Sequence, residues 1–296
     1  MIFKRYIPHI ILLLIACIWG VTFPMGKYVI QKIPVFTYLG VRFALASLIL
    51  FPLSFRSLKS MDAKSWRISL VIGFFLFLAF AFQTVGLNYT TASKVSFVTG
   101  LYVVLVPVLY YLIFGTPVKL AVIIGSILAC IGLALLGGDF SGLTSWDLGV
   151  SLVVAAAVFT ALQIVWIARY GWFIDSLALT FVQIFIVAIC CLFVALTVET
   201  MPEKVGWDIV GCILFLSVFA TVIAYFVQCR VQQQIGHTIT AVIMSMEAVT
   251  GAALSWMWLG EKLSFMAVIG CLFMFAAMII TQMEPAPDIQ EAGSAE

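Results

Sequence analysis

From residue 8 to residue 282 the chain is a succession of apolar segments of about twenty residues, divided by short loops that hold most of its charge. A helix needs about 20 apolar residues to cross a hydrocarbon core about 30 Å thick, so segments of this length read as membrane spans. Composition agrees: 64% of residues are hydrophobic, 9% are charged and mean hydropathy is +1.21, which a water-soluble domain of this length could not keep in solution. The segments lack the period-two alternation of a membrane barrel, and backbone amides in lipid must find partners within their own segment, so the spans are expected to be α-helical.

Cutting at clusters of charge, proline and glycine gives about ten spans, at 8–27, 35–54, 67–87, 94–114, 118–137, 147–168, 176–197, 208–229, 238–259 and 263–282. With the N-terminus inside, one side collects Lys4, Arg5, Arg56, Lys59, Lys64, Arg67, Lys119, Arg169 and Arg230, and the other Lys27, Lys32, Lys94, Lys204 and Lys262. The bias places both termini in the cytoplasm, as in a multi-pass protein of a bacterial-style inner membrane. Lys4 and Arg5 ahead of an apolar run look like a signal peptide, but the run continues through Trp19 and Phe23 without a small-x-small cleavage site. Residues 284–296, with two prolines and several acids, read as a disordered cytoplasmic tail.

The chain matches itself. A shift of 145 superposes Gln83 on Gln228, Tyr102 on Glu247, Gly115 on Gly260 and Gly125 on Gly270, and a shift of 141 superposes Trp19 on Thr160 and Arg42 on Gln183. Two halves of five crossings start on opposite faces, so the repeats are expected to be inverted, an arrangement typical of secondary transporters. The expected fold is all-α and membrane-integral: ten transmembrane helices as two inverted five-helix repeats, at 1–138 and 139–283.

Charges within spans are the sharpest functional signal, because one ionisable group near the bilayer centre costs about 2.5–3.5 kcal/mol even on insertion scales. Arg42 and Glu247 qualify. Counting from the outer span ends, Arg42 lies about 10 Å deep and Glu247 roughly 8 Å deeper, within reach of a direct pair. Glu247 reads either as a cavity carboxylate for a substrate ammonium group or a proton, or as a structural partner of a neighbouring helix; Arg42 reads as a carboxylate binder or as a brace.

Weaker polar candidates occupy the same spans: Thr22, Gln83, Asn88, Ser93, Ser96, Tyr102, Gln163, Trp166, Gln183, Gln228 and Ser245. Singly, such groups most often join helices. Together they suggest a shared polar interior, with Trp19, Trp166, Trp256 and Trp258 as aromatic wall candidates. Small residues in spans five and nine, Gly125, Ser126, Ala129, Gly132, Gly251, Ala252 and Ser255, suggest close helix approach. Pro24, Pro52 and Pro107 would bend spans.

The run Trp19-Gly20-Val21-Thr22-Phe23 resembles the Trp-Gly-x-x-Phe opening of EamA-type domains in the drug/metabolite transporter superfamily. Arg42, the stretch Leu101 to Pro107 and the turn Leu259-Gly260-Glu261-Lys262-Leu263 are similar to further family features, in the family's order and across the whole chain. Glu247 is followed by Ala248 where members commonly have Glu-Pro, and Gly115-Thr116-Pro117 replaces the first-half Gly-Glu turn. The resemblance implies a ten-helix basket around a central cavity, usually exporting amino acids, related metabolites or drugs.

No phosphate loop, zinc-binding His-Glu-x-x-His or nucleophile elbow is present, so gradient-driven transport is expected rather than ATP use or hydrolysis. The seven cysteines (Cys17, Cys130, Cys190, Cys191, Cys212, Cys229 and Cys271) sit in apolar spans without ligand spacing, and His9 and His237 lack acidic partners, so neither a metal nor a cofactor is expected. The expected partners are a small-molecule substrate, the lipid bilayer and, through Glu247, a coupling proton; nucleic acid is not expected. The rival readings are a membrane enzyme, which would need clustered acids or histidines at one interface, and a structural or sensory subunit, which would usually carry a soluble domain.

Overall fold

The computed structural model describes residues 2–115, 120–136, 148–200, 204–260 and 265–282, and the 284–296 tail lies outside them. No strand occurs among the described residues. The helices are α1 (Ile2–Ile30), α2 (Val35–Lys59), α3 (Ala63–Tyr89), α4 (Ala92–Thr99), α5 (Tyr102–Phe114), α6 (Leu120–Leu136), α7 (Leu148–Tyr170), α8 (Ser176–Val198), α9 (Trp207–Ser217), α10 (Ala224–Ile235), α11 (His237–Met244), α12 (Met246–Leu259) and α13 (Phe265–Gln282). Eight helical runs are long and apolar enough to cross a membrane: Tyr6–Ile30, Val35–Lys59, Ala63–Tyr89, Ala92–Phe114, Leu148–Phe173, Ser176–Val198, Trp207–Ile235 and His237–Trp258. Two shorter apolar helices, Leu120–Gly132 and Val268–Ala277, fall where the fifth and tenth spans were expected.

Local chemistry sets the boundaries. The third span begins at Ala63, earlier than the hydropathy reading of 67, because the Asp62 side chain accepts a hydrogen bond from Ser65 N at 2.9 Å. Hydrogen bonding from the Ser65 side chain, and then from its backbone N–H, holds the Asp62 carboxyl below its usual range. Thr91 caps α4 and Asp175 caps α8 in the same way. α5 ends on Gly115 (φ +68°) and α12 on Gly260 (φ +69°), a left-handed geometry that glycine adopts without a Cβ penalty.

Two spans are interrupted. The fourth breaks between α4 and α5 at Gly100 and Leu101, and the ninth breaks between α11 and α12 at Ser245. Gly100 and Ser245 are 145 residues apart, as are the two glycine stops, so the sequence shift is matched by the local backbone. A third irregularity has no such counterpart: a π-helical turn at Val218–Ile223 joins α9 to α10, while the matching stretch of α3 is regular helix.

Packing runs largely between halves: α2 lies against α8, α3 against α7, α6 against α13, and α1 against α12. Glycine permits the closest crossings. A Cβ at Gly132 would sit 2.7 Å from the Gly270 carbonyl oxygen, and one at Gly20 would sit 2.6 Å from Thr250 Cβ. Gly132 and Gly251 thus mark close approaches, as their small-residue setting suggested. Trp256 and Trp258 are 53% and 60% exposed and stand on the outer surface, not on a cavity wall.

The face bearing residues 31–34, 199–200 and 204–206 is tied between halves. The Glu199 carboxylate accepts from Phe36 N (2.8 Å), Thr37 N (2.7 Å) and Thr37 Oγ1 (2.9 Å), capping α2 from the other half of the chain. Beside it, Lys32 Nζ pairs with Asp208 Oδ2 at 2.7 Å, and Tyr28 donates to the same oxygen at 2.6 Å. The hydrogen bonds to Asp208 and Tyr28 raise the Lys32 pKa above the usual lysine value. The exposed ion pair is a weak tie, whereas the cap satisfies backbone donors that α2 cannot satisfy itself. Glu199→Ala is expected to cost about 1 kcal/mol, in line with loss of a helix cap. Thermal unfolding in detergent with amide exchange at residues 36 and 37 checks this, and unchanged values for both would show the cap to be idle.

Candidate functional site

At the centre of the helical array lies a small cavity of about 50 Å³, lined by sixteen residues from both halves. Eight of the ten expected site residues line it: Trp19, Thr22, Arg42, Gln83, Tyr102, Gln163, Gln228 and Glu247. Trp166 and Ser245 do not. Trp166 packs against Phe75 (5.3 Å between ring centroids) and Phe114 (6.0 Å) in an aromatic cluster towards the opposite face from Glu199. Ser245 donates to the Val242 carbonyl at 2.7 Å, serving the break in its own span. Of the weaker candidates, Asn88 is exposed, Ser96 donates to the Ser93 carbonyl at 2.8 Å, and Gln183 is buried one hydrogen bond behind Gln163.

The lining has an internal order. Trp19 and Thr160, and Thr22 and Gln163, are pairs at the 141 offset; Phe80 and Tyr225, Gln83 and Gln228, Thr99 and Met244, and Tyr102 and Glu247 are pairs at the 145 offset. Twelve of the sixteen lining residues therefore come from matching places in the two halves. Phe23, Arg42, Leu76 and Ala79 have no counterpart in the lining.

Arg42 is buried, at 2% exposure, and each of its three nitrogens is engaged. Nε donates to Thr221 Oγ1 (2.9 Å), one terminal nitrogen to the Tyr38 hydroxyl (3.1 Å) and the other to the Ala220 carbonyl (3.4 Å). The guanidinium also lies 5.3 and 5.4 Å from the ring centres of Phe43 and Phe80, a cation–π setting. Trp19 Nε1 donates to that same Ala220 carbonyl at 3.0 Å. The carbonyl is offered by the π-helical turn, whose wider winding breaks the regular i→i−4 ladder. One backbone irregularity thus fixes both Trp19 and Arg42 at the cavity wall.

Glu247 is 6% exposed and sits in the first turn of α12, directly after the break at Ser245. It forms no ion pair within 4.0 Å, with Arg42 or any other described base. The direct pair that depth allowed is therefore not made, because Arg42 is drawn to the π-helical turn instead. The Tyr102 hydroxyl lies beside the Glu247 carboxylate but makes no well-formed hydrogen bond, and Gln228 Oε1 likewise lacks a partner. The other amides are chained: Gln228 donates to Gln163 Oε1 (3.4 Å), Gln163 to Gln183 Oε1 (2.8 Å), and Gln83 to Thr99 Oγ1 (3.0 Å).

The cavity thus combines a fixed cation, a carboxylate with no described counter-ion within 4.0 Å, unsatisfied polar atoms on Tyr102 and Gln228, and an aromatic wall of Trp19, Phe80 and Tyr225. Buried polar groups are almost always paired, and the exceptions call for a functional explanation. Sequence reading missed Thr160, Phe80, Thr99, Tyr225 and the Ala220–Thr221 element. The 141 offset had already paired Thr160 with Trp19 without marking it as a lining residue; nothing local marks Ala220.

A crystal structure of a protein with 15% identity superposes with a TM-score of 0.75, covering 92% of this chain and 95% of that one, a likeness of fold. An "Uncharacterized transporter" of Archaeoglobus fulgidus is 32% identical over 280 residues, covering 95% of this chain and 87% of the relative. "Uncharacterized transporter YetK" of Bacillus subtilis is 25% identical over 291 residues, covering 94% and 87%. The model of the EamA-like transporter family matches twice, at residues 7–138 and 147–283, so this chain is a membrane transporter belonging to the EamA-like transporter family.

Proposed function

We infer that the chain moves a small zwitterionic solute, an amino acid or a close relative, outward across a cell membrane by alternating access. The observation that carries this is the juxtaposition in one cavity of Arg42 and Glu247, unpaired with each other, which together complement a carboxylate and an ammonium group. Nothing else among the described residues neutralises Glu247 within ion-pair distance, so a cationic group or a proton is the natural occupant.

Two inverted repeats supply the motion. The paired lining supports a pseudo-two-fold axis through the cavity. The loop ties support inversion: Phe36 and Thr37, at the start of the second span of the first half, meet Glu199, after the second span of the second half. On the other face Lys64, after the second span of the first half, lies 5.4 Å from the ring centre of Phe173, after the first span of the second half. The positive-inside bias puts the Lys64 face in the cytoplasm, with both termini. About 50 Å³ admits a few waters and is far below the roughly 300 Å³ of a small-molecule site, so the cavity must widen to load a solute.

Counterflow in proteoliposomes with a panel of labelled amino acids tests this reading. Exchange of at least one zwitterion, inhibited by unlabelled solute, is expected. Exchange confined to organic cations or to anions would overturn the zwitterion assignment, and inside-out vesicles that accumulate no solute would overturn export.

A further inference from the structure

We propose that the groove between α2, α3 and α8, at the end carrying residues 55–67, is a selective site for one anionic phospholipid. The groove has a volume of about 500 Å³, and its wall is apolar: Phe51, Phe55, Trp66, Phe181 and Phe185, with Lys59 at the rim. From Ser47 to Lys59 the lining runs along α2 for about 18 Å at the helical rise, close to the ~15 Å depth of one leaflet's hydrocarbon. An acyl chain laid along it would bring its phosphate to Lys59.

Charge selects the headgroup. Arg56, Lys59, Lys64 and Arg67 are all exposed, and the one acid among residues 55–67, Asp62, has its carboxylate engaged by Ser65 N. Lys59 Nζ lies 4.4 Å from the Phe55 ring centre, so the cation already stands over the apolar wall. A basic cluster at the membrane end of a groove between helices is the pattern that recognises anionic headgroups. Because α2 and α8 belong to different halves, the lipid would bridge the seam between them, a role distinct from the central cavity.

Native mass spectrometry of full-length protein released from nanodiscs with equal phosphatidylglycerol and phosphatidylcholine tests the proposal. Wild type is expected to retain phosphatidylglycerol preferentially. Lys59→Ala should lower that retention about fivefold, the effect of one basic residue near an anionic surface. Lys59→Arg and Lys204→Ala, the latter on the opposite face, should retain it. Phe185→Ala should weaken retention of long-chain lipid. Equal retention of both lipids by wild type, or undiminished retention by the Arg56→Ala/Lys59→Ala double variant, would overturn the proposal. So would displacement by chainless glycerophosphate as readily as by a short-chain phosphatidylglycerol, because the groove would then play no part.

Discussion

Replacing Glu247 with glutamine is expected to lower transport by roughly ten- to a hundredfold while leaving the protein folded and in the membrane. The two side chains are nearly isosteric, so the cavity keeps its shape and only the charge is lost. A hydrogen bond to a charged group contributes about 1.5–3 kcal/mol, and that range converts to the expected factor. The stability prediction carries the discrimination. Glu247 is buried without an ion-pair partner, so neutralising it removes a desolvation cost, and the thermal midpoint in detergent should hold or rise. A structural carboxylate would behave in the opposite way, with Glu247→Gln losing stability and keeping its rate per folded molecule. Wild-type counterflow by the variant at every pH tested would remove Glu247 from the mechanism.

Gly20→Val is expected to destabilise the protein by about 1–3 kcal/mol, the usual cost of overpacking, and to reduce the amount recovered folded. A Cβ at this position would sit 2.6 Å from Thr250 Cβ and 2.8 Å from Gly251 N, so the backbone of α12 must move, not merely a flexible side-chain end. Gly20 follows Trp19 directly, and α12 carries Glu247, so the displacement separates two walls of the cavity. Gly211→Ala is the matched control. A Cβ there meets nothing within 4 Å, and alanine suits a helix interior better than glycine by about 1 kcal/mol, so stability should rise. Opposite shifts in the two thermal midpoints are the expected signature. Equal shifts would mean that the α1–α12 crossing tolerates a wider separation than its geometry indicates.

Sequence alone went far with this protein because lipid is a demanding solvent. A charge or amide in a span is costly enough to be conspicuous, so Arg42, Glu247, Gln83, Gln163 and Gln228 stood out against an apolar background. Repetition extended that reach: the 145 shift that aligned Tyr102 with Glu247 and Gly115 with Gly260 also relates the observed breaks at Gly100 and Ser245, though not the π-helical turn. Hydropathy placed most span ends within a few residues; a side-chain cap explains the miss at Asp62, while α2 and α10 run on past their apolar stretches to Lys59 and Ile235.

Tertiary structure decided what those polar groups face. Depth along separate helices allowed an Arg42–Glu247 pair, yet depth says nothing of rotation about the helix axis or of competing acceptors. The π-helical turn at Val218–Ile223 provides such acceptors in Ala220 and Thr221, and its sequence, Val-Phe-Ala-Thr-Val-Ile, carries no sign of wider winding. The Glu199 cap on α2 is equally invisible in the chain, because it joins residues 163 positions apart. Local order and burial preference are written in neighbouring residues; the partner of a buried charge is set by which distant backbone the fold brings beside it.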